Sequence, residues 1–200
     1  MNINLMGRGN MKREEQKEQR KKQIMSVALD LFVKKGYAAT KVSDIAKTAN
    51  MSVGLLFHYF ESKEKLLEEL TYIGLQGTQM PLQMEYLNEL DFYEKFTSQL
   101  IAYMQEQPIT AKMFVFMAQM QRTEGIPENI KETALSVNTL EKSVDIIKSG
   151  QKKGIIRKGN PMALSNAYWC SIQGIAEQYA MHPDIPLPEA EWIVDIIRLK

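Results

Sequence analysis

The residues able to do chemistry are few in this chain, and their spacing argues against catalysis. His58 and His182 are its two histidines and Cys170 its single cysteine, and no histidine stands beside that thiol. No glycine-rich phosphate loop and no cluster at metal-ligand spacing interrupts the text, so no catalytic residue, metal or resident cofactor is expected. Cys170 has no partner for a disulfide, and its apolar, small-residue surroundings predict inert burial. A different chemistry is written from Ala39 onward, in A-T-K-V-S-D-I-A-K-T-A-N-M-S-V-G-L-L-F-H-Y-F-E-S-K-E-K-L-L. Thr40 can cap a helix that buries Val42, Ile45, Ala46 and Ala49, with Ala46 small enough for a second helix to cross closely. Asn50, Met51 and Ser52 then make a turn, and Ser52 can cap the next helix. Gly54, in that helix's first turn, would let the backbone approach a phosphate or a base edge.

These short helices need others to hold them. Ile24, Val27, Ala28, Leu31 and Phe32 follow the spacing of one apolar helical face, and Gly36 is a suitable left-handed terminator. Lys41 to Ala49, Val53 to Tyr59 and a helix opening near Ser62 and running past Leu70 complete a compact head. Beyond Pro81 longer helices are predicted near Phe92 to Glu106, Ile109 to Arg122, Glu128 to Gly150, Pro161 to Met181 and Pro188 to Leu199. The breaks fall at Pro108, Gly125-Ile126-Pro127, Gly154, Gly159-Asn160-Pro161 and His182 to Pro188, where an amide donor is lost or positive φ is allowed. No strand pair is visible, so the fold class is all-α. Residues 1–17 read as a mobile basic arm, 18–77 as the head with its helix-turn-helix at about 41–60, and 78–200 as a C-terminal body.

The formal charge of +1 hides an asymmetry. Residues 1–63 hold 12 Lys and Arg against 6 Asp and Glu, a balance of +6, whereas residues 64–200 hold 13 against 18, a balance of −5. A basic head on an acidic body suits binding to a polyanion through one end, although a solvated basic face would read the same way. No apolar run is long enough to cross a bilayer and the first twenty residues carry charges, so a cytoplasmic protein without membrane contact is expected.

The segment from about Glu18 to Gly77 resembles the N-terminal domain of the TetR family of repressors. The likeness lies in A-L-D-L-F-V-K-K-G-Y ending the first helix, A-T-K-V-S-D-I-A-K-T-A as the second, S-V-G-L-L-F-H-Y-F as recognition helix and E-S-K-E-K-L-L opening the fourth. The resemblance implies that Thr40, Val42 and Ser52 border double-stranded operator DNA, that Val53, Gly54, Phe57, His58 and Tyr59 lie at it, and that Lys63 neutralises a phosphate. Val53 and Leu55 depart from the polar residues frequent there, which points to thymine-methyl contacts and phosphate positioning rather than bidentate hydrogen bonds. Phe60 reads as core, while Phe57 is open between core and DNA.

The family likeness further implies a C-terminal domain that binds a small apolar or amphipathic effector and pairs into a homodimer. Thirteen methionines are consistent with an adaptable core or with a pocket of flexible thioethers. Phe96, Tyr103, Met113, Met117, Gln121, Asn138, Trp169 and Gln173 are the candidate ligand contacts. Ala167, Cys170, Ser171 and Gly174, with Trp192, Ile193 and Ile196 of the last helix, are the candidate dimer surface, resembling the family's two-helix pairing into a four-helix bundle. The function so implied is that of a sequence-specific transcriptional regulator, a repressor released from its operator by the effector. The alternative is an adaptor of the same fold acting through a protein partner without operator binding.

Overall fold

A computed structural model describes the backbone at residues 4–79, 84–120, 122–136 and 139–199, and side chains at 13–77, 84–120, 122–136 and 141–199. Its order is α1 (Asn4–Lys35), α2 (Val42–Thr48), α3 (Val53–Tyr59), α4 (Lys63–Gln79), α5 (Glu89–Glu106), α6 (Ile109–Gln119), α7 (Glu128–Leu135), α8 (Thr139–Lys152), α9 (Pro161–Met181) and α10 (Ala190–Val194). Among the described residues the only extended pairing is an isolated bridge between Ile156 and Arg198. The chain is all-α.

Two compact units emerge, one of residues up to Leu70 with Thr123–Pro127, the other of Thr71–Arg122 and Glu128–Lys200. The division falls inside α4 rather than at residue 77. The short connection between α6 and α7 belongs to the first unit: Gly125, at φ +75, lies so close to Ala38 that a side chain there would sit 3.3 Å from its Cβ. Residues 4–17, expected as an arm, are the opening turns of α1.

In the first unit Ile24, Ala28, Leu31 and Phe32 of α1 pack with Ile45, Ala46, Ala49, Leu56, Phe60, Leu66, Leu67 and Leu70, all buried. α1 stops at Gly36, whose φ of +82 lets its N–H reach the Phe32 carbonyl at 2.9 Å. Burial of these apolar faces outweighs the weak helicity of seven-residue segments such as α2 and α3.

The second unit is built on α9, with α6 and α8 packed along it and α5 against α8 and α10. Asn160 starts α9 by accepting the N–H groups of Met162 and Ala163, with Pro161 pre-set in the first turn. Asn88 caps α5 in the same way. Phe92, Tyr93, Ile147, Ile156, Tyr168, Ile172, Ile193, Val194 and Ile197 form the core. Hydroxyls thread through it: Tyr93 reaches the Ser143 hydroxyl at 2.9 Å, Ser165 donates to the same oxygen at 3.0 Å, and Thr97 meets the Tyr168 hydroxyl at 2.7 Å. Burial pushes both phenols well above the ordinary tyrosine range, so they remain neutral hydrogen-bonding groups.

Two boundaries differ from expectation. The helix predicted over Glu128 to Gly150 is two helices, because the Ser136 hydroxyl and N–H both turn back onto the Thr133 carbonyl. The last helix is five residues long rather than twelve, since the chain turns after Val194 and the Ile197 carbonyl accepts the Arg157 N–H at 3.0 Å.

Candidate DNA interface and effector body

α2 and α3 meet at a turn in which Asn50 takes φ +54, a left-handed conformation that asparagine tolerates better than most residues. Ser52 caps α3 by accepting the Leu55 N–H at 3.1 Å, as its position suggests. The helix is then divided by face. Leu56 is buried and Phe60, its C-cap, is buried behind it, while Leu55 is 43% exposed and Phe57 46% exposed. Ser52, Val53, Gly54 and His58 are exposed as well, Tyr59 is half-buried with its ring edge-on to His58 at 5.6 Å, and Val42 is half-buried. A Cβ added to Gly54 would meet no atom of the protein within 4 Å, so the head's own packing does not demand glycine there. The open side is available to an approaching backbone or base edge.

Two residues expected at the DNA have other duties. Thr40 is 1% exposed and its hydroxyl donates to the Gly36 carbonyl at 2.8 Å, so it closes the end of α1 instead of capping α2 or bordering a ligand. The N-cap of α2 is Lys41, which makes no side-chain cap bond. Lys63 donates from Nζ to the carbonyls of Tyr37 at 2.8 Å and Thr40 at 2.9 Å, and its ammonium lies 4.1 Å from the centre of the Tyr37 ring. Burial depresses its pKa, with Glu64 working the other way. At most one of its three protons is left for a phosphate. No sequence pattern announces this clip, because its acceptors are backbone carbonyls 23 and 26 residues away.

The candidate effector contacts fall into separate groups. Phe96 stacks on Phe92 at 6.3 Å and meets Trp169 at 5.4 Å, and the buried Trp169 indole nitrogen has no hydrogen-bond partner. Met113 and Met117 of α6 lie against α4 at Gly74, where a Cβ would stand 2.3 Å from the Met117 sulfur. Tyr103 is exposed near the end of α5, and Gln173 spends its amide on Glu177 one turn along α9 at 2.7 Å. Tyr103 thus stands at the surface, while Gln173 is half-buried. Gln121 and Asn138 lie outside the described side chains.

Of the dimer candidates, Ala167, Cys170 and Gly174 share an exposed face of α9, and Trp192 is 67% exposed. Cys170 is thus exposed in the single chain rather than buried. Ser171 is half-buried and bonds back to the carbonyls of Ala167 and Tyr168. Ile193 is in the core and Ile196 packs against it, both turned inward where the chain folds back after α10. Among the described residues no cluster of His, Cys, Asp or Glu is placed to hold a metal ion, and no helix is long and apolar enough to cross a membrane.

A buried two-helix turn presenting the outer face of its second helix defines a helix-turn-helix DNA-binding protein. Residues 24–70 match the family described as "Bacterial regulatory proteins, tetR family". Over 145 residues the chain is 29% identical to the uncharacterized HTH-type transcriptional regulator YhgD of Bacillus subtilis, covering 71% of this chain and 74% of that protein. Among solved structures it resembles the MbdR regulator from Azoarcus sp. CIB, with a TM-score of 0.71 and 18% identity over 88% of this chain and 96% of that one. It also resembles AibR in complex with isovaleryl coenzyme A and operator DNA, with a TM-score of 0.61 and 17% identity over 88% and 94% of the two chains. The head at residues 24–70 thus matches the TetR family of bacterial regulatory proteins, and the relative matched over most of the chain is itself an HTH-type transcriptional regulator.

Proposed function

We propose that this regulator is a homodimeric repressor that reads operator DNA through α3 and leaves it when a small apolar or amphipathic effector occupies the second unit. The observation that carries the first half is the exposed apolar face of α3. Val53, Leu55 and Phe57 stand in water while Leu56 between them is buried, an arrangement that costs solvation in the free protein and suits thymine methyl groups in a major groove. Two such heads must lie about one helical turn apart, about 34 to 36 Å, to enter successive grooves. The exposed face of α9 is the surface proposed to pair two copies.

Release is referred to α4, which runs from Lys63 in the head into the effector unit. Gly74 of α4 lies so close to the Met117 thioether of α6 that a side chain there would have to displace it. An effector that displaces Met113 or Met117 moves the surface on which α4 rests. Such a ligand acts only through unequal affinity for the two arrangements. AibR, a structural relative, was solved with both an acyl thioester of coenzyme A and operator DNA, which supports an amphipathic effector.

The test is fluorescence anisotropy of the duplex upstream of the chain's own coding sequence, titrated with the protein and then with isovaleryl coenzyme A and with anilinonaphthalenesulfonate. Salt-dependent binding that weakens as either probe occupies the protein is expected. Unchanged operator affinity despite saturable probe binding would overturn release by ligand. Absence of any duplex binding, with a co-eluting partner protein, would replace the DNA-binding reading by the adaptor one.

A further inference from the structure

Residues 13–20 of α1 are helical yet exposed at every position, so tertiary packing does not explain the helix. Its charges are sorted by face. At about 100° per residue, Arg13, Lys17, Arg20 and Lys21 fall within an arc of roughly 100°, with Glu14 at its edge and Glu18 and Glu15 beyond it. Of the four charged pairs spaced i, i+4 from Arg13 to Lys22, three carry like signs: Arg13 with Lys17, Glu14 with Glu18, and Lys17 with Lys21. Only Glu18 with Lys22 is opposite. Like pairs at this spacing destabilise a solvated helix, and an external polyanion on the basic side reverses that for two of them.

The stripe is also aimed. Its phase is that of Ile24, Ala28 and Leu31, which α1 buries in the head, while Glu14 and Glu18 share the phase of the equally buried Phe32 and Leu29. Where α1 leaves the head, the stripe is bracketed by Gln23 and Lys21, the two side chains that reach the helix-turn-helix. The junction is tied down: Gln23 donates to the Ala49 carbonyl, at the start of the turn, at 3.4 Å, and the Lys21 ammonium lies 5.6 Å from the centre of the Phe60 ring at the end of α3. From Gln23 to Arg13 the helix extends about 15 Å further. Arg20 is held in line by Gln23 at 2.8 Å, and Arg13 and Lys17 have no partner among the described residues.

We infer that Arg13, Lys17 and Arg20 form a second DNA contact, a phosphate-binding stripe that grips the duplex backbone flanking the groove entered by α3. It rests on the DNA-binding reading and extends the footprint of each head without adding base readout. Phosphate contacts of this kind are measured by their salt dependence.

The experiment compares the full chain with the triple variant Arg13→Gln, Lys17→Gln, Arg20→Gln and with Lys22→Gln, whose side chain points the other way. Affinity for the duplex upstream of the coding sequence is measured across a salt series, with long flanks and with the flanks trimmed, and helix content is followed by circular dichroism. The triple variant is expected to lose about 0.9 from the slope of log K against log salt for each phosphate contact removed, on the long duplex only. Lys22→Gln should keep the slope of the unmodified chain, and trimming should reproduce the variant's loss. An unchanged slope in the triple variant, with helix content retained, overturns the stripe while leaving α3 as the reader. A loss confined to binding of anionic phospholipid vesicles would overturn it too. If the unmodified chain binds no duplex, it is the DNA-binding reading that fails.

Discussion

At the scale of single residues, Lys63 shows how a side chain of the right type can be spent before a ligand arrives. Its ammonium satisfies two carbonyls at the end of the α1–α2 connection and lies over the Tyr37 ring, which itself packs edge-on to Phe32 at 5.3 Å. The contacts fix the first turn of α4 against the loop that leads into α2. Lys63→Met is expected to lower the head's unfolding free energy by about 1 to 2 kcal/mol, read by thermal denaturation. Operator affinity should fall for every sequence alike. A variant with unaltered melting but a salt slope lower by about 0.9 would return Lys63 to a purely phosphate-binding role. Thr40 belongs to the same lesson: a hydroxyl at a helix start reads as an N-cap, but the free carbonyls of the preceding helix were nearer. Ser52, by contrast, caps as its position suggests, because its partner lies three residues on.

Between elements, the tie from α5 to α8 is electrostatic as well as apolar. Glu89, 5% exposed in the first turn of α5, accepts from Ser149 and from the Lys153 ammonium. Burial opposes its charge, yet these hydrogen bonds outweigh it and hold the carboxyl below the ordinary glutamate range. A depressed folded pKa means stability that is present above the unfolded value and is lost as pH falls through the folded one. Glu89→Gln is therefore expected to destabilise the chain by about 1 kcal/mol at neutral pH, discounted for the exposed Lys153, and to converge with the unmodified chain in acid. Denaturant melts from neutral pH down to below the carboxylate range check this, and a constant difference at all pH values would refute it. The helix faces behind this contact were legible in advance, since apolar spacing marks them. The break at Ser136 and the shortness of α10 were not, because both depend on where the chain turns back and on what then covers it.

For the whole molecule, the exposed face of α9 carries the proposal of a dimer. Gly174 has nothing within 4 Å of where a Cβ would stand, so a long side chain fits the single chain and would clash only with a partner. Gly174→Arg is expected to sediment as a monomer, with its helix content kept and its operator affinity lost, whereas a variant that stays dimeric would move the pairing surface elsewhere. The sequence by itself determined the all-α class, the turn at Asn50 and the separate faces of α3, Leu56 with Phe60 on one and Leu55 with Tyr59 on another. Those follow from periodicity, capping and charge, which act over a few residues. Phe57, left open by its type, was placed outside only by the fold. Tertiary structure also decided that Lys63 and Thr40 serve backbone carbonyls, that Ile193 and Ile196 turn inward, that Cys170 is exposed, and that Gly74 seats Met117. Each depends on atoms brought together from distant parts of the chain, and local spacing carries no record of which donor will find which carbonyl, or which face a neighbouring helix will cover.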